Sequence, residues 1–103
     1  MSELTLYSMP SSGNSYKVRL LLALLGRPCK IVHVEDSSPA LAEAKKQGRL
    51  PFGKAPVLEL ENGHLLPESN AILYHLAEGS TYIPTDPLLR AEVLSWLFWE
   101  QNQ

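Results

Sequence analysis

Val57-Leu58-Glu59-Leu60, then Glu61-Asn62-Gly63, then His64-Leu65-Leu66, read as two short apolar runs joined by a segment ending in Asn-Gly. Asn-Gly accepts positive φ at low steric cost, and between apolar runs it is the strongest short-range signal for a β-hairpin. The stretch therefore predicts two antiparallel strands. Just upstream, Gly48 to Pro56 holds two glycines and two prolines, so it cannot stay regular for long. Just downstream, Pro67-Glu68-Ser69 opens a helix from about Asn70 to Glu78. Ile72, Leu73 and Leu76 give that helix an apolar stripe, and Gly79 ends it.

Before the hairpin, Leu4 to Tyr7 is rich in strand formers, and Ser8-Met9-Pro10-Ser11-Ser12-Gly13-Asn14 is a loop by composition. Ser15 to Leu25 is dense in helix formers and apolar nearly all round, with Lys17 and Arg19 as its obvious polar positions. That pattern predicts a buried helix lying on a sheet, stopped by Gly26 and Pro28. Lys30 to Val34 reads as a β-branched strand, and Ser38 before Pro39 as the N-cap of a helix reaching Gln47. The order is strand, helix, strand, helix, strand, strand, helix over residues 1–79. A crossover helix makes the first two strands parallel, whereas the hairpin is antiparallel, so the sheet is mixed. Ser80 to Thr85 reads as a linker, and Asp86-Pro87 as an N-cap followed by proline at the first helical position. Leu89, Val93, Trp96, Leu97 and Trp99 give this last helix a broad apolar surface that calls for a partner.

Composition excludes several classes. With 103 residues, 45% hydrophobic and 19% charged, the chain is ordinary for a globular domain and long enough for one core. A net charge of -2 with scattered basic residues predicts neither a nucleic-acid nor an anionic membrane partner. No stretch is apolar for the ~18 residues a membrane span needs, and no basic segment leads into an apolar run at the N-terminus, so the expectation is a cytoplasmic protein. Cys29 is the single cysteine, which excludes an internal disulfide and a Cys-x-x-Cys pair. His33, His64 and His75 have no metal-ligand spacing, so no metal is expected.

Three features stand in a set order: Ser11-Ser12-Gly13-Asn14-Ser15 before a helix, Gly53-Lys54-Ala55-Pro56-Val57-Leu58 leading into a strand, and Glu68-Ser69-Asn70-Ala71-Ile72 opening a helix. Together with Tyr16-Lys17-Val18-Arg19 they resemble the glutathione transferases, most closely the serine-using zeta-like and related bacterial groups, over nearly the whole chain. The resemblance implies an α/β, thioredoxin-like fold with a four-stranded mixed sheet. It divides the chain into a glutathione-binding domain at 1–79, a linker at 80–86 and the first helix of an all-helical domain at 87–103. It also implies glutathione and an unidentified electrophile as partners, and a homodimer for the full-length protein.

The resemblance assigns roles residue by residue. Ser12 falls where zeta-like enzymes carry their catalytic serine; Ser11, Ser15 and Asn14 are local rivals. Tyrosine-using classes place their tyrosine near Ser8, one residue from Tyr7, whose side chain would face the other way. Pro56 would be cis, freeing the Ala55 main chain to meet the cysteinyl part of glutathione. Ser69 would bond the γ-glutamyl carboxylate, Glu68 would face its amino group, and Lys54 would reach the glycine carboxylate. Physical chemistry supports the serine: a thiol with a pKa of about 8.5 is mostly protonated at neutral pH. A hydrogen bond to the charged sulfur, at roughly 1.5–3 kcal/mol, lowers that pKa by about one to two units. The alternatives implied are a non-catalytic transferase-like module and a glutathione-dependent isomerase or reductase.

Overall fold

The computed structural model of the protein describes residues 3–102; the outer limits expected for the domains, residues 1 and 103, lie outside them. Strand β1 (Leu4–Ser8) buries every second residue, Leu4, Leu6 and Ser8, as the two-residue period of a strand requires. Helix α1 (Gly13–Leu25) comes next, then β2 (Cys29–His33) and α2 (Pro39–Lys46). The hairpin is β3 (Val57–Glu59) and β4 (Leu65–Pro67), after which come α3 (Ser69–Ala77) and α4 (Pro87–Gln101). The sheet order is β2-β1-β3-β4, with β1 parallel to β2 and antiparallel to β3. The hairpin pair is antiparallel as expected. This is the thioredoxin-like arrangement.

Both faces of the sheet are covered. Leu4, Leu6 and Leu58 meet Val18 and Leu22 of α1 and Ile72 and Leu76 of α3 in one apolar cluster. On the opposite face Val34 and Val57 meet Leu41 and Ala44 of α2, with Leu50 from the loop after that helix. Tyr7 packs on this second face and donates its hydroxyl to Glu59 at 3.2 Å.

Element limits differ from the sequence reading where capping decides them. Helix α1 starts at Gly13, not Ser15, because Ser12 takes the N-cap and its Oγ accepts the Ser15 N–H. The α1 helix is not buried all round: only Ser15, Val18 and Leu22 are buried, while Tyr16, Leu20 and Leu24 are exposed. The sheet, α3 and part of α4 cover one side of it, while Tyr16, Leu20 and Leu24 face outward. Each hairpin strand is one residue shorter at the turn, which closes through Leu60 N–H to His64 O and Gly63 N–H to Leu60 O.

Helix α4 docks by one face. Val93 and Leu97 are half-buried near Leu21 of α1 and Leu73 and Ala77 of α3. Arg90 makes a bidentate ion pair with Glu78 and also donates to Tyr74. At the other end Lys17 pairs with Glu100 at 2.8 Å, and Asn70 Nδ2 donates to Leu97 O and to Glu100. Leu88, Leu89, Trp96, Phe98 and Trp99 remain exposed, so the apolar surface read from sequence splits into a docked stripe and an open one.

Two outcomes test this packing. Ile72→Ala leaves a cavity between the sheet and α3 and should cost about 2–5 kcal/mol in chemical unfolding. The Lys17 and Asn70 hydrogen bonds, in that order, hold the Glu100 carboxyl below its ordinary pKa. A depressed carboxyl pKa contributes above the ordinary carboxylate range, and the contribution is lost as pH falls through the depressed value. Acid should therefore loosen the α4 end in the wild type and change less in Glu100→Gln. The difference between the two tryptophan-fluorescence titrations measures it, and identical titrations would refute it.

Candidate functional site

Sheet register brings three distant segments to one edge. Tyr7 pairs with Val57, and Val57 with Pro67, so the end of β1, the start of β3 and the end of β4 lie in one row. The segments flanking that row must meet there: the Ser8–Asn14 loop, Lys54-Ala55-Pro56, and Glu68-Ser69. A cleft of about 280 Å³ opens at this edge, lined by Asn14, Phe52, Lys54, Ala55, Pro56, Pro67, Glu68, Ser69 and Gln101.

The cleft gathers Lys54, Ala55, Pro56, Glu68 and Ser69, five of the six residues read from the sequence. Ser12 is not in its wall; from that loop Asn14 lines it. Phe52 and Gln101 also line it and were not anticipated. An exposed phenylalanine inside a glycine- and proline-rich loop was the available signal for Phe52; nothing local marks Gln101, which arrives only through the docking of α4.

Each wall has a local cause. The loop before β3 is pinned by buried Leu50 and Pro56 and turns at Gly53, whose φ of 71° suits glycine. The Ala55–Pro56 bond is cis. Lys54 is exposed and, among the described residues, makes no ion pair. Glu68 holds φ 76° and ψ 112°, a conformation that costs a non-glycine residue about 1–3 kcal/mol. It offers no side-chain cap to α3, so the free N–H groups of the first turn open toward the cleft beside Ser69, which is 4% exposed. A cation, a helix N-terminus and a carboxylate thus line one small polar cleft. Such a set suits a ligand carrying carboxylates and an ammonium.

The Ser8–Ser15 loop is held throughout. Ser15 is fully buried, and its Oγ accepts the Met9 N–H at 3.0 Å. Ser12 N–H donates to Met9 O at 2.9 Å, and Val34 N–H donates to Ser8 O at 2.9 Å. Arg19 donates to the buried Ser8 hydroxyl. Ser11 gives both its hydroxyl and its N–H to Glu35. Ser12 is half-buried; its Oγ accepts from Ser15 N–H at 3.4 Å, and its own proton is donated to no described residue. Cys29 sits half-buried at the start of β2, beside the C-terminal end of α1, where burial raises its thiol pKa. Among the described residues no cluster of His, Cys, Asp and Glu could hold a metal ion, and no helix is long and apolar enough to cross a membrane.

A thioredoxin-like domain with a polar cleft at the β1–β3–β4 edge is therefore the class that fold and site define. Residues 6–80 match the family described as "Glutathione S-transferase, N-terminal domain", and the chain belongs to that family. The crystal structure of a possible glutathione S-transferase from Rhodopseudomonas palustris is 46% identical, with a TM-score of 0.87 over 98% of this chain and 52% of that one. A glutathione transferase homolog from Sulfitobacter, solved with bound glutathione, is 27% identical, with a TM-score of 0.80 over 96% of this chain and 49% of that one. A maleylacetoacetate isomerase of Rhizobium meliloti (strain 1021) is 35% identical over 95 residues, 89% of this chain and 44% of its own length. The chain spans about half the length of these relatives.

Ser15→Ala tests the loop. It removes the acceptor of a partly buried N–H and should cost about 1–3 kcal/mol in urea unfolding; unchanged stability would show that the hydroxyl does not hold the loop.

Proposed function

We propose that this chain is the glutathione-binding part of a glutathione transferase, and that Ser12 stabilises the thiolate of bound glutathione for attack on an electrophilic carbon. The observation that carries the proposal is the convergence of Lys54, Ala55, Pro56, Glu68 and Ser69 on one polar cleft beside the start of α1. Glutathione has a carboxylate and an ammonium at its γ-glutamyl end, a thiol in the middle and a carboxylate at its glycine end. Ser69 with the α3 N-terminus meets the first carboxylate, Glu68 the ammonium, Lys54 the glycine carboxylate, and the Ala55 main chain the cysteinyl unit. Ser12 is favoured over the neighbouring serines, Ser11 and Ser15. Ser15 is buried and Ser11 donates to Glu35, whereas the Ser12 proton is free among the described residues.

The thiol loses its proton to solvent, the Ser12 O–H and the α1 N-terminus stabilise the sulfur anion, and a new S–C bond forms as the leaving group departs with its electron pair. Residues 1–79 form the glutathione-binding domain, 80–86 the linker and 87–103 the first helix of a helical domain. That assignment rests on the capped start of α4 at Asp86 and on the shorter span relative to relatives. A cytoplasmic location suits a single unpaired thiol, and a homodimer suits the exposed apolar side of α4.

A second reading, an isomerase, is favoured by the relative named maleylacetoacetate isomerase. There the thiolate would add to a conjugated double bond, permit rotation, and leave unchanged. Consumption of glutathione separates the two readings: conjugation uses one molecule per turnover, isomerisation none.

In the full-length protein, Ser12→Ala should lower conjugation with a chloronitrobenzene by about 10- to 100-fold, the equivalent of one to two units of thiol pKa, and leave calorimetric glutathione binding intact. Ser69→Ala should instead weaken binding by about tenfold or more. Wild-type activity in Ser12→Ala would overturn the catalytic assignment. No heat with millimolar glutathione would favour a non-catalytic module.

A further inference from the structure

The geometry points to Glu35 as a positioning residue that fixes Ser12 for thiolate stabilisation by clamping Ser11 with both carboxylate oxygens. This inference rests on the reading of Ser12 given above. Glu35 comes directly after Val34, whose N–H donates to Ser8 O and so carries the β1–β2 pairing one residue past the strands, which anchors Glu35 to the sheet edge. From there Oε1 accepts the Ser11 hydroxyl at 2.7 Å and Oε2 accepts the Ser11 N–H at 3.1 Å. The two residues are 24 apart in sequence, so the contact is tertiary. Oε1 also accepts the N–H of Asp36 at 3.0 Å, which limits rotation of the carboxylate.

The consequence for Ser12 is geometric. Its backbone is held on one side by its own N–H to Met9 O, and on the other by the Tyr16 N–H to Ser12 O bond that begins α1. Ser11 joins those restraints to the β2 side of the loop. Without the clamp, Met9 to Ser11 would be tied only through α1 and Ser15, and the peptide leading into Ser12 could rotate. A hydroxyl that stabilises an anion must stay within about 0.5 Å of its working position, so a small drift removes much of its effect. The Ser11 hydroxyl, then the Asp36 N–H, hold the Glu35 carboxyl below the usual carboxylate range, so it is ionised and acts purely as an acceptor at neutral pH. Glu35 is absent from the cleft wall, which separates its role from that of the binding residues.

The test uses the full-length protein, with kcat, KM for glutathione and the thiol pKa of bound glutathione followed by thiolate absorbance in the near ultraviolet. Glu35→Ala should raise that thiol pKa and lower kcat by about tenfold, never more than Ser12→Ala does, with KM for glutathione unchanged. Glu35→Gln keeps one acceptor and should recover part of the loss. Ser11→Ala, which keeps its N–H to Glu35, should lose less than Glu35→Ala. The double variant Ser11→Ala, Glu35→Ala should be no worse than Glu35→Ala alone, since the two act through one contact. If Glu35→Ala does not fold, the same comparison is read from Glu35→Gln and Ser11→Ala. A wild-type thiol pKa and kcat in these variants, while Ser12→Ala is impaired, would overturn the clamp and leave the reading of Ser12 standing. A wild-type thiol pKa in Ser12→Ala would overturn that reading, and the clamp with it.

Discussion

The pairing of β1 with β3 at the centre of the sheet is the constraint on which the rest depends. Leu6 lies opposite Leu58, both fully buried, between the layer of α1 and α3 and the layer of α2. Because the pairing is antiparallel, the end of one strand stands beside the beginning of the other. The loop that carries Ser12 and the loop that carries Ala55 and Pro56 thus meet without any contact dedicated to bringing them together. Because β4 is also antiparallel to β3, the start of α3 reaches the same edge. A register slip of one residue would turn the side chains packed on α1 and α3 toward α2 and the reverse, and so dissolve both the core and the cleft.

Within that frame the two sides of the site are built differently. The cleft side consists of groups left open: an exposed lysine, a helix N-terminus without a side-chain cap, and a glutamate in a strained backbone conformation. The loop side consists of groups already used. Ser8 and Ser15 are buried and accept from Arg19 and Met9, and Ser11 donates to Glu35, which leaves Ser12 as the half-buried serine whose proton goes to no described residue. A polar loop of this kind is stiff because its hydrogen bonds run to three places: the end of β1, the first turn of α1 and the residues just after β2. Stiffness there is what a hydroxyl needs if it is to favour a thiolate over a thiol rather than simply touch both.

Helix α4 shows how an apolar segment divides its surface. Val93 and Leu97, four residues apart, face α1 and α3, and the polar residues Arg90 and Glu100 fix the two ends of that contact. The docking carries Gln101 to the rim of the cleft. The Trp96 and Trp99 rings meet edge to face, 5.8 Å apart, on the outward side.

Local signals in the sequence determined the elements. Asn62-Gly63 marked the hairpin, Ser38-Pro39 and Asp86-Pro87 marked helix starts, and the strand formers of Leu4 to Tyr7 marked a strand, since each depends only on backbone sterics or near-neighbour hydrogen bonds. The cleft residues were legible too, through resemblance to a family, because Lys54, Ala55, Pro56, Glu68 and Ser69 keep a recognisable order along the chain. The start of α1 at Gly13 was hidden because Ser12 fits either a loop or a cap, and only the hydrogen bond to Ser15 separates the two. The one-sided burial of α1 was hidden because a run of leucines looks the same whether one face or both are covered. Glu35 and Gln101 were illegible for a different reason. Their partners lie far away in sequence, and no local pattern of charge or periodicity records a contact that exists only once the sheet has closed and α4 has docked.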